Sequence, residues 1–113
     1  MIGLHLLVDG VMTRQIGKAD LEAILNELPG RVGMHILAGP LIVAGVPENP
    51  GWTGFVIIDK SHISIHTFNE GNRISVDLFS CKMFDTNKVL EYLENNIKMT
   101  QVSSRVVERC EAS

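Results

Sequence analysis

The stretch that decides the fold is Gly54 to Thr67, GFVIIDKSHISIHT. It holds two runs rich in β-branched residues, 54–58 and 62–67, separated by Asp59-Lys60-Ser61. Runs of this kind around a polar turn are typical of a β-hairpin. In the second run apolar and polar residues alternate, which predicts a strand with one buried and one polar face. The sequence therefore predicts two adjacent strands with Asp59-Lys60-Ser61 as the turn.

Periodic apolar residues outside this hairpin predict the other elements. A first helix has its apolar residues at i, i+3, i+4 and i+7 from Leu21, and Pro29-Gly30 is expected to stop it. A second helix is expected to start at Asp85 or Thr86, either of which can cap it. Alternation predicts a strand after the turn at 69–72. Apolar runs predict further strands in 2–8, 34–44 (kinked at Gly39-Pro40) and 99–108.

The order strand, helix, several strands, helix, strand is typical of the α+β class. We expect a two-layer sandwich in which two helices cover one face of a mostly antiparallel sheet. The other face carries Ser64, His66 and, by continued alternation, Cys81, and it is expected to pack against a second protomer. A length of 113 residues predicts one domain spanning 1–113.

Composition excludes several classes of protein. A net charge of −3 with scattered basic residues predicts no nucleic-acid partner, and no apolar run approaches the ~20 residues that span a bilayer. Two cysteines make no disulfide framework, which favours a reduced, cytoplasmic protein. His62 and His66 would lie ~13 Å apart on an extended strand, too far to share one tetrahedral metal ion. We therefore expect no metal.

A longer segment carries a family resemblance. Ser61-His62-Ile63-Ser64-Ile65-His66-Thr67, followed by Asp77-Leu78-Phe79-Ser80-Cys81, resembles the self-cleavage region of the prokaryotic-type pyruvoyl-dependent S-adenosylmethionine decarboxylase proenzymes. The resemblance covers most of the chain. It implies autocatalytic cleavage between Lys60 and Ser61, with Ser61 becoming a covalent pyruvoyl group that forms a Schiff base with the substrate amine. Neither a metal nor pyridoxal phosphate is then needed. The implied activity decarboxylates S-adenosylmethionine to the aminopropyl donor of spermidine synthesis.

The resemblance also implies roles for other side chains. His66 removes a proton during processing, and Cys81 donates a proton to the substrate carbon after carbon dioxide leaves. Thr53 stands where the family has a serine whose hydroxyl stabilises the cleavage intermediate, and Glu70 matches a glutamate that binds the substrate's ribose. Five residues of strand would separate His66 from Ser61 by ~16 Å within one chain. We therefore expect a homodimer with sites at its interface.

Four departures from the family pattern keep alternatives open. Lys60 stands where glutamate is usual, Phe68-Asn69 replaces an aromatic-proline pair, and Lys82 follows Cys81 in place of glycine. The stretch that carries the adenine-stacking aromatic in the family reads Val46-Pro47-Glu48 here.

The missing aromatic allows three interpretations. The stacking role passes to Trp52 or Phe68, or the chain is a pyruvoyl-dependent arginine or ornithine decarboxylase on the same fold. The third interpretation is an unprocessed, non-catalytic homologue that acts as a binding or regulatory subunit.

Overall fold

The structure is a computed structural model that describes residues 2–111. Its elements follow the predicted order, and a short 3-10 turn joins β4 to β5. In chain order they are β1 Gly3–Met12, α1 Lys18–Arg31, β2 Ile36–Ala44, β3 Trp52–Ile58, β4 Ser61–Phe68, the 3-10 turn Glu70–Asn72, β5 Arg73–Ser80, α2 Thr86–Asn96 and β6 Met99–Arg109.

The six strands form one sheet in the order β2-β3-β4-β5-β1-β6, and all the neighbouring pairs are antiparallel. With two helices packed on it, this sheet confirms the α+β sandwich. None of the helices in residues 2–111 is long and apolar enough to cross a membrane.

The central hairpin differs from the prediction by one residue. Ile58 pairs with Ser61, so the loop between β3 and β4 consists of Asp59 and Lys60 alone. Lys60 adopts a left-handed conformation with a φ of 49°, which helps two residues reverse the chain. Ser61 is therefore the first residue of β4, and the prediction that it belongs to the turn was wrong.

Alternation in the central strands is confirmed. Ile63 and Ile65 of β4 are fully buried. Leu78 of β5 is also fully buried, and the exposed fraction of Val76 is 1%. They pack against helix residues such as Leu25 in one core, and each such burial contributes about 1.5–3 kcal/mol to folding. The opposite side of the sheet, which carries His62, Ser64 and His66, is called the open face below.

Two boundaries differ from expectation. Helix α1 runs past Pro29-Gly30 and ends at Arg31, because a proline in the last turn removes one hydrogen bond without blocking the few residues that follow. Strand β1 continues beyond Val8 to Met12, since it lies between β5 and β6 and pairs with both. The hydrogen bonds to strands on both sides outweigh the low preference of a polar residue such as Asp9 for a strand.

Other boundaries are confirmed. The Asp85 carboxylate accepts hydrogen bonds from the backbone N–H groups of Asn87 and Lys88, at 3.0 and 3.3 Å, and so caps α2. Strand β2 shows the expected irregularity, with register shifts around Gly39-Pro40. The last predicted strand is β6.

Candidate active site

Ser61 is held at the start of β4 by two hydrogen bonds. Its hydroxyl donates to the carbonyl oxygen of Asp59 at 2.8 Å and accepts from the backbone N–H of Cys81 at 3.1 Å. The residue is only 5% exposed. The two hydrogen bonds therefore fix the orientation of the Ser61 hydroxyl. Ser61 directly follows Lys60, whose backbone is left-handed.

Cys81 lies next to Ser61 in the same chain. Its sulfur is 3.9 Å from Ser61 Oγ and 3.5 Å from the Asp59 carbonyl oxygen. The alternation that predicted Cys81 on the face of His66 does not extend this far, because β5 ends at Ser80. Since Phe79 pairs with His62, the residues that follow β5 come to the loop end of the hairpin.

Thr53 and His66 form a second pair on neighbouring strands. They face each other in the β3–β4 register, and Thr53 Oγ1 is 3.0 Å from His66 Nδ1. The imidazole is exposed. Within one chain this pair is therefore preassembled, and one ring nitrogen, Nε2, is left for another partner.

The two pairs lie at opposite ends of the hairpin. Ile58–Ser61 closes the loop end and Thr53–His66 lies five rungs away, which corresponds to ~16 Å at the rise of an extended strand. Exposed Glu70 begins the 3-10 turn at the His66 end. A single chain thus brings Ser61 to Cys81 and Thr53 to His66, but it does not bring the two pairs together.

An aromatic cluster on the open face beside Ser61 was not singled out from the sequence. The ring of His62 stacks on Phe55 at 5.4 Å between centroids, and lies 5.9 Å from Phe79 and 6.4 Å from His5. The Arg109 guanidinium lies 4.9 Å from the centroid of Phe79. Strand parity could have indicated Phe55, His62 and Phe79, because residues that pair across antiparallel strands share a face.

This environment lowers the pKa of His62 below its ordinary value of 6.5. Partial burial is the largest cause, and the nearby His5 adds to it, while Asp77 opposes the shift and Arg109 adds a smaller decrease. Because the folded chain binds the proton less readily than the unfolded chain, stability falls as the pH drops from 6.5 towards the lowered pKa.

We expect His62→Gln to remove this part of the acid sensitivity. The wild-type unfolding midpoint should fall between about pH 7 and pH 5, and the variant's midpoint should fall less over the same interval. The measurement is thermal unfolding across this range, combined with an NMR titration of the His62 ring. The wild-type protein, measured over the same interval, is the reference. Equal slopes in the wild-type protein and the variant, or a His62 that titrates at 6.5 or above, would contradict the assignment.

A contact between loops also holds the Asp59-Lys60 loop. The backbone N–H of His35 donates to the Asp59 carboxylate at 3.4 Å, and the His35 ring lies 3.8 Å from the same oxygen. The segment after α1 is thus tied to the loop that precedes Ser61. No local pattern indicates this contact, because the two residues are 24 positions apart.

Clefts lie at the His66 end of the hairpin. One of 130 Å³ is lined by Thr53, His66 and Phe68 among others, and a second of 360 Å³ on the other side of Phe68 includes Asp9, Arg73 and Ser75. A further cleft, of 510 Å³, lies between the helices around Arg31 and Tyr92. It contains none of the predicted site residues. In residues 2–111 no three His, Cys, Asp or Glu side chains are grouped to hold a metal ion.

The family model described as S-adenosylmethionine decarboxylase matches residues 5–110. An S-adenosylmethionine decarboxylase proenzyme of Persephonella marina is 35% identical over 96% of this chain and 82% of its own length. One from Clostridium botulinum strain Langeland is 40% identical over 60 residues. The chain spans about half the length of this relative, since the match covers 52% of each protein.

A solved structure is also similar. It is described as the adenosylmethionine decarboxylase from Aquifex aeolicus, and it superimposes with a TM-score of 0.79 at 25% identity. The superposition covers 99% of this chain and 93% of the Aquifex chain. The likeness therefore extends over both layers of the fold.

Proposed function

We propose that this chain, which belongs to the S-adenosylmethionine decarboxylase family, cleaves itself between Lys60 and Ser61 and then decarboxylates S-adenosylmethionine to the aminopropyl donor of polyamine synthesis. The observation that carries the proposal is the Ser61 hydroxyl, buried and hydrogen-bonded beside Cys81 directly after a strained residue. The similar proteins of Clostridium botulinum and Persephonella marina are proenzymes by name, which supports self-processing.

The conformation of Lys60 favours cleavage at this bond. A left-handed φ costs a residue other than glycine about 1–2 kcal/mol, and Lys60 is the residue whose carbonyl carbon is attacked. Once the chain is cut, Lys60 becomes a chain end and can relax. The strain therefore raises the energy of the intact loop relative to the product.

Cleavage proceeds through an ester. Ser61 Oγ attacks the carbonyl carbon of Lys60, the peptide C–N bond breaks, and the Ser61 nitrogen takes up the proton as a free amine. Removal of the Ser61 α-proton then breaks the Cβ–Oγ bond and releases Lys60 as a carboxylate. The remaining dehydroalanine tautomerises to an imine, and water hydrolyses it with loss of ammonia. What remains at position 61 is the pyruvoyl group.

His66 is the base for the α-proton in this scheme. When its Nδ1 carries the proton, the ring donates to Thr53 Oγ1 across 3.0 Å, and Nε2 keeps the lone pair that accepts the proton. Thr53 is then a positioning residue that favours the His66 tautomer with its proton on Nδ1. Its hydroxyl is also available to the cleavage intermediate, the role that the family resemblance implies.

Because Ser61 and His66 lie at opposite ends of the hairpin, the site requires a second protomer. The open face offers an apolar patch for such packing: Leu41, Val43, Phe55 and Ile57 are exposed by 64, 50, 37 and 44%. The β2–β3 and β3–β4 registers place these four residues on one side of the sheet. A two-fold axis through this face allows His66 of each protomer to reach Ser61 of the other.

The pyruvoyl group supplies the electron sink for loss of carbon dioxide, as pyridoxal does elsewhere. The neighbourhood of Ser61 fits a small carbonyl group, because Cys81 offers both a backbone N–H and a thiol within 3.9 Å of the serine oxygen. The thiol donates the proton that replaces the lost carboxylate.

Phe68 is the aromatic residue best placed to stack on the adenine. Trp52 lines the smaller cleft but packs partly against the core, whereas Phe68 shares the side of His66 in β4 and borders both clefts beside it. The Arg73 guanidinium lies 5.6 Å from its ring centroid. Glu70, two residues further on in the exposed turn, is proposed to accept hydrogen bonds from the ribose hydroxyls, the role that the family resemblance implies.

The test is release of labelled carbon dioxide from S-adenosylmethionine, arginine and ornithine by the processed protein. We expect release from S-adenosylmethionine. Glu70→Gln should raise KM roughly 10- to 100-fold with a smaller change in kcat, because a hydrogen bond to a charged acceptor is worth about 1.5–3 kcal/mol. Glu94→Gln, at an exposed position of α2, is the control. Release from arginine or ornithine alone would overturn the substrate assignment.

A further inference from the structure

Strand β6 forms one edge of the sheet and pairs with β1 alone among the strands of residues 2–111. Ten of its eleven residues, from Thr100 to Arg109, are exposed. A strand in this position presents an outer row of backbone N–H and C=O groups that another strand can join.

The opposite edge, β2, is less suited to such pairing. Its register shifts twice around Gly39-Pro40, and a proline has no N–H to donate. In β6 the irregularity lies opposite Gly10, at Gln101, which has a φ of 52°, and at Val102. The stretch 103–109 pairs with β1 without a shift and is free of proline.

An apolar row runs across the sheet and stops at this edge. Leu78 pairs with Leu6, and Leu6 pairs with Val106. The two leucines are buried, but Val106 is 50% exposed, and Val102 on the same side is 36% exposed. Both valines lie on the helix side of the sheet, so a protomer on the open face leaves them uncovered.

We propose that β6 pairs with β6 of a second copy of this chain, antiparallel about a two-fold axis at Ser104. Such an axis must be perpendicular to the sheet, so that paired residues share a face. Val102 of each copy then lies opposite Val106 of the other, and the apolar row Leu78–Leu6–Val106 continues into the second sheet.

Neighbouring registers are less favourable. A two-fold axis at Arg105 sets the guanidinium groups of the two copies opposite each other, and like charges in directly opposed positions destabilise a pair of strands. A centre at Val106 places Val102 opposite Cys110. A centre at Ser104 instead places Arg105 opposite Ser103 and matches valine with valine twice.

Cross-linking tests the register directly. In a Cys110→Ser background, Ser104→Cys sets two thiols on the axis, with Cα atoms about 5 Å apart. Glu108→Cys sets them ~26 Å apart on the same edge. A short bismaleimide should join two copies of the Ser104→Cys chain and leave the Glu108→Cys chain and the background chain unlinked. Linkage through Glu108→Cys and not through Ser104→Cys would overturn the proposal.

Sedimentation tests the contact without added cysteines. Val106→Lys should halve the mass of the wild-type assembly, because lysine cannot join the apolar row. Ala23→Lys, which places a lysine at an exposed position of α1, should leave the mass unchanged. An unchanged mass in Val106→Lys would overturn the proposal. Both variants should still cleave before Ser61, so intact mass separates failure of this contact from failure of the proposed function.

Discussion

The Ser61→Ala variant should remain one chain of 12.5 kDa after incubation long enough to split the wild-type protein into residues 1–60 and 61–113. The loss should be complete, because alanine has no oxygen to attack the Lys60 carbonyl and the neighbouring Cys81 thiol belongs to a different part of the chain. Intact mass spectrometry measures both products, and the carboxy-terminal one should be blocked by a carbonyl that hydroxylamine traps.

Ser103→Ala serves as the matched control, since it removes an exposed strand hydroxyl in β6. It should cleave at the wild-type rate. Cleavage of Ser61→Ala would show that another nucleophile acts. A wild-type protein that stays intact and holds no trappable carbonyl would remove the enzyme hypothesis and favour a non-catalytic binding subunit.

His66→Ala should stall processing after the ester has formed. The α-proton then has no positioned base, and loss of such a base typically slows a step by about 10²- to 10⁴-fold. Added hydroxylamine should still cut the stalled ester, so the precursor should split at Ser61 without gaining a pyruvoyl group. Maturation of His66→Ala at the normal rate would show that another group is the base.

Mixing His66→Ala with Ser61→Ala tests whether the site is shared between protomers. A mixed dimer has one pairing that combines an intact Ser61 with an intact His66. With equal amounts and random exchange, about half of the His66→Ala chains should therefore mature. The measurement is intact mass after the two chains are refolded together. No maturation in the mixture, or a strictly monomeric wild-type protein that is fully processed, would contradict a site built from two chains.

Local pattern was sufficient for the architecture. The alternation of Ile63 and Ile65 with polar neighbours predicted which face of β4 is buried, because side chains of a strand point to its two sides in turn and only one side meets the helices. The cap at Asp85 was likewise predictable, since a short acceptor side chain before a helix satisfies free N–H groups locally.

Local pattern failed where the answer depended on neighbours distant in sequence. The helix was expected to stop at Pro29-Gly30 and β1 to end at Val8. Both extend further, because packing and two-sided pairing outweigh the preferences of single residues. The face of Cys81 was extrapolated beyond the end of β5 at Ser80, so that face stays a prediction.

For the candidate site, the sequence by itself determined which side chains are available: Ser61, His66, Cys81, Thr53 and Glu70, whose roles stay predictions. Only the tertiary structure decided which of them meet. Ser61 lies beside Cys81 because the β4–β5 register brings residue 81 to the hairpin loop, and Thr53 bonds His66 because the β3–β4 register makes them opposite. Register depends on how the whole sheet packs on its core and on loop length, so no single strand encodes it.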